Sequence, residues 1–319
     1  TGRKSGLKNI TFGFIANQTN NWNSDVFANG TNATTSFMGA LATSASGYLD
    51  SELGAEDAYD LMPWKEVTGF QSGMISTFGG MNDQYVGASE VIYQDPETGD
   101  YEITLGGPLN QTYGNRTEGG KYEYVLNIGG NISDFVYLGA NLGFSTITYA
   151  LDEYFMENAI DPKNFEIALE DGQSMYFQKM KHSYSYRADG SGIFGKFGVI
   201  MTPGYGLRLG AAIQTPTVTT MTETWTEDGE TTFSTQNYGA YSPLGEASYS
   251  FTSPMRANFG VAYTYGSLGV LSVDYEMSDY SKMRYDTNNS DRSYFEAVNQ
   301  DIRQRFGVSH MLRAGLEVK

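Results

Sequence analysis

The residues that could do covalent or metal chemistry are few. His182 and His310 are the only histidines in 319 residues, and there is no cysteine. That composition removes thiolate catalysis, thiolate metal sites and disulfides together. His182 lies in a Lys- and Tyr-rich polar stretch and His310 beside the start of an alternating run. Both read as solvated or rim residues. Heme contact by either is left open, but two isolated imidazoles without carboxylates spaced to assist them make no metal site. No metal and no cofactor is therefore expected. With no nucleophile–His–acid set in view, the chain is read as not an enzyme. Asp95, Glu97 and Asp100 supply too few oxygens for a Ca²⁺ loop and read as a charged hairpin tip.

Two other groups of side chains suggest binding rather than reaction. Phe37, Met38 and Leu41 fall at helical spacing, and Met62, Trp64, Val67, Phe70 and Met74 follow. They form a candidate hydrophobic surface for an apolar ligand, with methionine giving adaptable fit. The same eight residues equally suit the small core of a folded loop. The second group is ionic: Lys196, Arg208, Asp274, Glu276, Arg313 and Glu317 all fall on one side of alternating segments whose other side is apolar.

Those alternating segments are the elements that must position everything else. About eight are legible. Leu7–Asn17 is the first, and Val136–Ser145 is the cleanest, with Val136, Leu138, Ala140, Leu142 and Phe144 against Tyr137, Gly139, Asn141 and Gly143. The hairpin around Phe259, Val261, Leu271 and Val273 is the longest pair. A period of two over such lengths predicts strands with one greasy and one wet face. Short turns near Ile132, Pro203 and Gly266 alternate with polar stretches at 152–171, 222–245 and 286–304, read as loops, the last with a short helix over Arg292–Arg305. Residues 19–120 show no sustained alternation and read as one long external loop insertion, with short helices over Thr34–Ala45 and Ala55–Met62. Such asymmetry of turns, with charge segregated to one face, is the pattern of an outer-membrane β-barrel. Tyr149, Tyr205, Tyr263, Tyr265 and Tyr275 suit an interfacial aromatic belt. No run of eighteen apolar residues predicts a transmembrane helix. A net charge of −17 argues against nucleic acid as a partner. The chain is thus read as a single all-β domain over 1–319: a transmembrane antiparallel barrel in the cell outer membrane, with lipid or lipopolysaccharide against its wall.

The segments SPMRANFGVAYTYGSLGVLSVDYEMSDYSK, GLRLGAAIQTPT and VYLGANLGFSTITY, with the ending HMLRAGLEVK, resemble the FadL/TodX family, in particular members found in Bacteroidetes that are sometimes labelled hemin receptors. The likeness covers roughly 120–319 well and 7–120 more loosely. It implies a porin-like barrel plugged by an N-terminal hatch and passive uptake of hydrophobic small molecules such as long-chain fatty acids or aromatic hydrocarbons. External loops would catch the ligand, which would leave sideways through a gap beside a kinked strand. The chain departs from that pattern in lacking the hatch and the last strands, and is read as a fragment. The alternative reading is a non-transporting accessory barrel, a subunit of a larger outer-membrane assembly.

Overall fold

The computed structural model describes residues 6–169, 172–287 and 292–318. β1 (Leu7–Asn21) and β2 (Ser24–Asn32) are one strand bent at Trp22–Asn23. Residues 33–108 then leave the sheet and fold as a cap. It contains helices α1 (Phe37–Ala45), α2 (Asp50–Leu53), α3 (Ala58–Leu61) and α4 (Trp64–Gln71). Two small hairpins complete it: β3 (Ile75–Thr77) with β4 (Tyr85–Gly87), and β5 (Glu90–Gln94) with β6 (Tyr101–Leu105). Three long strands follow. They are β7 (Leu109–Ile132), β8 (Val136–Ala159) and, after the short β9 (Glu166–Ala168), β10 (Ser174–Gly204). The chain continues through β11 (Leu207–Gln214), β12 (Val218–Phe233), β13 (Asn237–Tyr241) and β14 (Gly245–Thr252). It ends with β15 (Arg256–Tyr265), β16 (Gly269–Asp279), β17 (Arg284–Asp286), helix α5 (Arg292–Arg305) and β18 (Val308–Val318).

One large antiparallel sheet runs β1-β7-β8-β10-β11-β15-β16-β18. Among the described residues β1 and β18 each pair on one side only. Tight turns connect neighbours at one end. Ser133 and Asp134 both take positive φ between β7 and β8, and Tyr205 and Gly206 do so between β10 and β11. Those twists match the strands they join. The Lys8 ammonium bonds the Asp134 carboxylate and, with the Asn131 amide, holds that carboxyl below its usual range.

Register fixes the faces. Met201↔Val136 through Lys179↔Asn158 pair without a slip, and Gly260↔Asp274, Asn258↔Glu276 and Asp274↔Arg313 continue the rows. By this register all six expected charges lie on one face, called inner here. The other face carries Phe12, Leu126, Leu142, Phe197, Phe259, Leu271 and Leu316, each exposed. From Ile10 to Ala16 and at the matching levels of the neighbouring seven strands, this outer face holds no Asp, Glu, Lys or Arg.

Above that level the wall continues, and here several expectations are corrected. β8 runs on to Ala159, and β12, β13 and β14 occupy the stretch expected as a loop over 222–245. The insertion begins at 33 rather than 19 and ends at 108 rather than 120, because β2 and the first half of β7 are paired strands. These segments are polar on both faces, so they lack the alternation that marks strands. Tyr149 lies on the inner face opposite Ala188 rather than in an outer belt. The change of level follows a line of kinks. Pro216 separates β11 from β12, and Pro254 separates β14 from β15. Proline cannot donate to the ladder. Hydroxyls stitch the gap: Gly195 N donates to Thr215 Oγ1 at 2.9 Å and Thr217 N to Ser253 Oγ at 2.9 Å.

The cap has its own core of Met38, Leu41, Ala45, Leu53, Val67, Met74 and Ile75, extended onto the wall by Leu109, Phe177 and Met180. Among the described residues no helix is long and apolar enough to cross a membrane.

The tightest turn offers a test of the sheet. Gly206 has φ 82°, and a Cβ there would meet the Thr264 carbonyl oxygen at 2.2 Å. Gly206→Val is expected to lower stability by about 1–3 kcal/mol, read from urea midpoints of the protein refolded in lipid, whereas a substitution at the exposed Tyr205 leaves the midpoint within about 0.5 kcal/mol.

Candidate ligand path along the inner face

Three tiers succeed one another down the inner face. At the top the cap is seated on the wall. The seat is Glu157, fully buried on β8. It accepts from Ser36 Oγ at 2.6 Å, from the Phe37 backbone N–H at 2.8 Å and from Gln111 Nε2 at 2.7 Å. Ser36 is the N-cap of α1, and its Oγ also accepts from the Met38 N–H. A carboxylate at a helix N-terminus is well placed electrostatically. Burial nevertheless pushes the Glu157 carboxyl above its usual range, against the lowering effect of those hydrogen bonds. Beside it, His182 Nε2 shares a hydrogen bond of 2.8 Å with Glu227 Oε1. The Phe37 ring lies 5.1 Å from both His182 and Phe155. On the far side α4 presses on β12: Trp64 meets Trp225 at 5.6 Å, and Thr68 Oγ1 donates to the Glu227 carbonyl at 3.4 Å. Gly229 makes this approach possible, since a Cβ there would stand 2.7 Å from Ser72 Oγ.

Of the eight residues expected to form a hydrophobic surface, Met38, Leu41, Val67 and Met74 are wholly interior to the cap. Phe37, Met62 and Phe70 pack against that core. Trp64 and Phe37 are the two that reach the wall. The set is brought together, but as an interior with aromatic feet. His182 is also not a rim residue: it is buried between cap and wall. His310 Nδ1 bonds the Tyr275 hydroxyl at 2.6 Å on the outer face. Asp95 is occupied in capping its own turn, its Oδ1 accepting from the Glu97 N–H at 2.7 Å. Among the described residues no group of three or more His, Asp and Glu side chains could hold a metal ion.

The middle tier is aromatic. Trp22, Tyr149 and Tyr186 follow one another with centroids 5.9 and 6.0 Å apart. Tyr249, Tyr285 and Phe295 continue the belt, the last two stacked at 9°. The Glu223 carboxylate joins the two halves by accepting from the Tyr249 hydroxyl and bonding Tyr186. Burial, with that carboxylate beside them, pushes both phenols up. The sequence shows the tyrosines but not this belt, because β12 and β14 were not legible as strands.

The lowest tier holds the ionic group. Glu276 bonds Arg313 at 2.7 Å and Asn258 at 3.1 Å. Lys196 stands over the Phe194 ring at 4.9 Å. A cavity of ≈ 460 Å³ opens here, lined by Lys196, Asp274 and several glycines.

No protein-family model matches the chain, and no curated protein or solved structure matches it.

Glu157 makes cap docking testable. Because its folded-state carboxyl is raised, the folded protein holds the proton more readily than the unfolded chain. Stability is then greatest below the ordinary glutamate range and falls as pH climbs from there through the raised value. Relative to Glu157→Gln, the wild type is expected to lose stability as pH rises out of the ordinary glutamate range, about pH 4, and through the raised value, measured as unfolding midpoints. Glu157→Ala orphans the buried donors and is expected to loosen the cap by about 1–3 kcal/mol for each unsatisfied group, read as faster proteolysis within 33–108.

Proposed function

We propose that the protein is an outer-membrane β-barrel channel of the FadL/TodX type that admits hydrophobic small molecules, such as fatty acids or aromatic hydrocarbons, by passive diffusion. The observation that carries the reading is the outer face: eight adjacent strands expose an apolar band without Asp, Glu, Lys or Arg, while the ionic residues occupy the opposite face. In water such a band is an extended exposed apolar patch, far larger than a soluble monomer keeps. Against lipid it is what a spanning strand presents, and about 9–11 residues suffice to cross. β7, at 24 residues, overshoots that by a factor of two. Its upper, polar half then stands clear of the membrane and carries the cap.

In this arrangement the short turns face the periplasm and the cap covers the external mouth. The aromatic tier lies beneath the cap, and the inner-face charges line a wet lumen. The kink line at Pro216 and Pro254 interrupts the ladder between adjacent strands, which is where a wall of this kind is weakest. No reaction and no cofactor enters this reading.

Uptake tests it. Deletion is expected to lower uptake of a long-chain fatty acid or an aromatic hydrocarbon by intact cells, with recovery on complementation. Unchanged uptake together with loss of a co-purifying complex would rule for the accessory-subunit reading. The wall itself is tested by charge placement. Phe259→Arg, on the apolar band, is expected to cost about 2–4 kcal/mol of insertion at mid-membrane, whereas Asn258→Arg, one residue away on the inner face, inserts normally; heat-modifiable migration on gels reads both.

A further inference from the structure

Gly139, Gly198, Gly210 and Gly260 occupy neighbouring strands on the inner face. Each alternates with an inner-face polar residue: Asn141, Lys196, Arg208 and Asn258. None of the four takes a positive φ. A Cβ on Gly139 would meet nothing within 4 Å, one on Gly198 would have its nearest neighbour at 3.6 Å, and one on Gly210 at 3.8 Å. Only at Gly260 is there a close neighbour, the Asp274 carboxylate at 2.7 Å. At Gly139, Gly198 and Gly210 neither the backbone nor packing explains the glycine. Glycine weakens a strand interior and marks a place where a ligand or another backbone comes close. What the four provide is empty space, and they line the cavity of ≈ 460 Å³.

The rim of that space is charged at two points. Lys196 lines one side, and among the described residues its ammonium has an aromatic ring but no carboxylate as partner. Asp274 lies three strands away, on β16, and in register stands level with Ile200, four residues along β10 from Lys196, so the two are offset by roughly 14 Å across the sheet and about 13 Å along it. Arg313, although paired in register with Asp274, gives its guanidinium to Glu276. The floor between the two charges is the backbone of the glycines with the small Ala212 among them and Ile200 and Asn258 beside them, a shallow surface that suits a flat ring system or an extended chain. An anionic end group would be drawn to Lys196 and turned away from Asp274.

We propose that this glycine floor is a binding slot for a flat or rod-shaped hydrophobic acid, whose carboxylate pairs with Lys196. The slot deepens the channel reading and rests on it for its place inside the lumen. It assigns an orientation, acid end toward β10 and apolar body across β11 and β15.

The test uses the full chain in lipid nanodiscs, titrated with dansyl-undecanoic acid and with its methyl ester. The acid is expected to bind about tenfold more tightly than the ester, the size of one charge-assisted contact. Lys196→Met should erase that preference and Lys196→Arg should keep it. Gly198→Leu, which fills the floor where a side chain has room, should abolish binding of both probes while leaving the unfolding midpoint near that of the wild type. Equal binding of acid and ester by the wild type, or an unchanged preference in Lys196→Met, overturns the assignment of the acid end. Intact binding in Gly198→Leu overturns the slot. Uptake of the two probes by cells separates this from the larger reading. Normal uptake with an unaffected Gly198→Leu variant leaves the channel and removes the slot. Absence of uptake by the wild type removes the channel, and the titration alone then decides the slot.

Discussion

The structure depends on register. A strand turns successive side chains to opposite faces, so a slip of one residue exchanges the faces completely. Between β8 and β10 that exchange would carry Lys196 and Phe194 outward and Phe197 and Val199 inward. The pairing from Lys179↔Asn158 to Met201↔Val136 contains no such slip. Turns pin it at one end, where Ser133, Asp134, Tyr205 and Gly206 hold the positive φ that tight hairpins need. Thr202 ties two of these turns together through its backbone N–H to the Phe135 carbonyl at 2.9 Å. The division into an apolar outer face and a charged inner face follows from this ladder.

A second constraint divides the wall by height. Below the Pro216 and Pro254 kinks, outward residues are apolar and the strands amphipathic. Above them, Thr220, Thr222, Ser248 and Ser250 face outward, and the inward side carries the cap. The cap adds helices and two hairpins to this inward side, and their buried residues pack with residues of the wall. Its seat is a handful of contacts around Glu157, His182, Trp225 and Gly229. The cap core is continuous with the upper wall through Leu109, Phe177, Met180 and Phe233, so cap and upper wall share one apolar interior.

Amphipathic strands were legible because an apolar face and a polar face on one strand force a period of two. Val136–Ser145 and the Phe259/Leu271 hairpin stand in the structure as the alternation requires. The helix over Arg292–Arg305 was legible to the residue, and α1 was placed with its start three residues early. The upper strands were not legible. In Thr224, Trp225, Thr226 and Glu227 the covered face, under the cap, carries Trp225 and the buried carboxylate Glu227 rather than an apolar row, and a strand without apolar alternation is chemically indistinct from a polar loop. α4 was missed because Pro63 and Gly69 argue against a helix there, yet Pro63 precedes the first turn and Gly69 is needed for contact: a Cβ on it would lie 2.3 Å from Leu41 Cδ2. Of the site, the ionic row was readable from alternation alone. The glycine floor was visible as residues but not as a surface, since neighbourhood across four strands exists only once register is known.

The distribution of satisfied charge separates scaffold from function on the inner face. In the upper tiers acids are abundant, yet each has a donor. Glu123 faces Lys121 at 3.3 Å, and Glu153 accepts from the Tyr113 hydroxyl at 2.6 Å and from Asn115 at 3.0 Å. Glu157 is held by α1, Glu223 by tyrosines and Glu227 by His182. These carboxylates are used in fastening strands and cap to one another. In the lowest tier the count changes. Glu276 is held by Arg313 and Asn258, but Lys196 has no carboxylate partner among the described residues. Lys196 stands beside Gly139 and Gly198, where neither a positive φ nor a close neighbour requires glycine. The lower tier is therefore where the inner face is shaped for something other than itself.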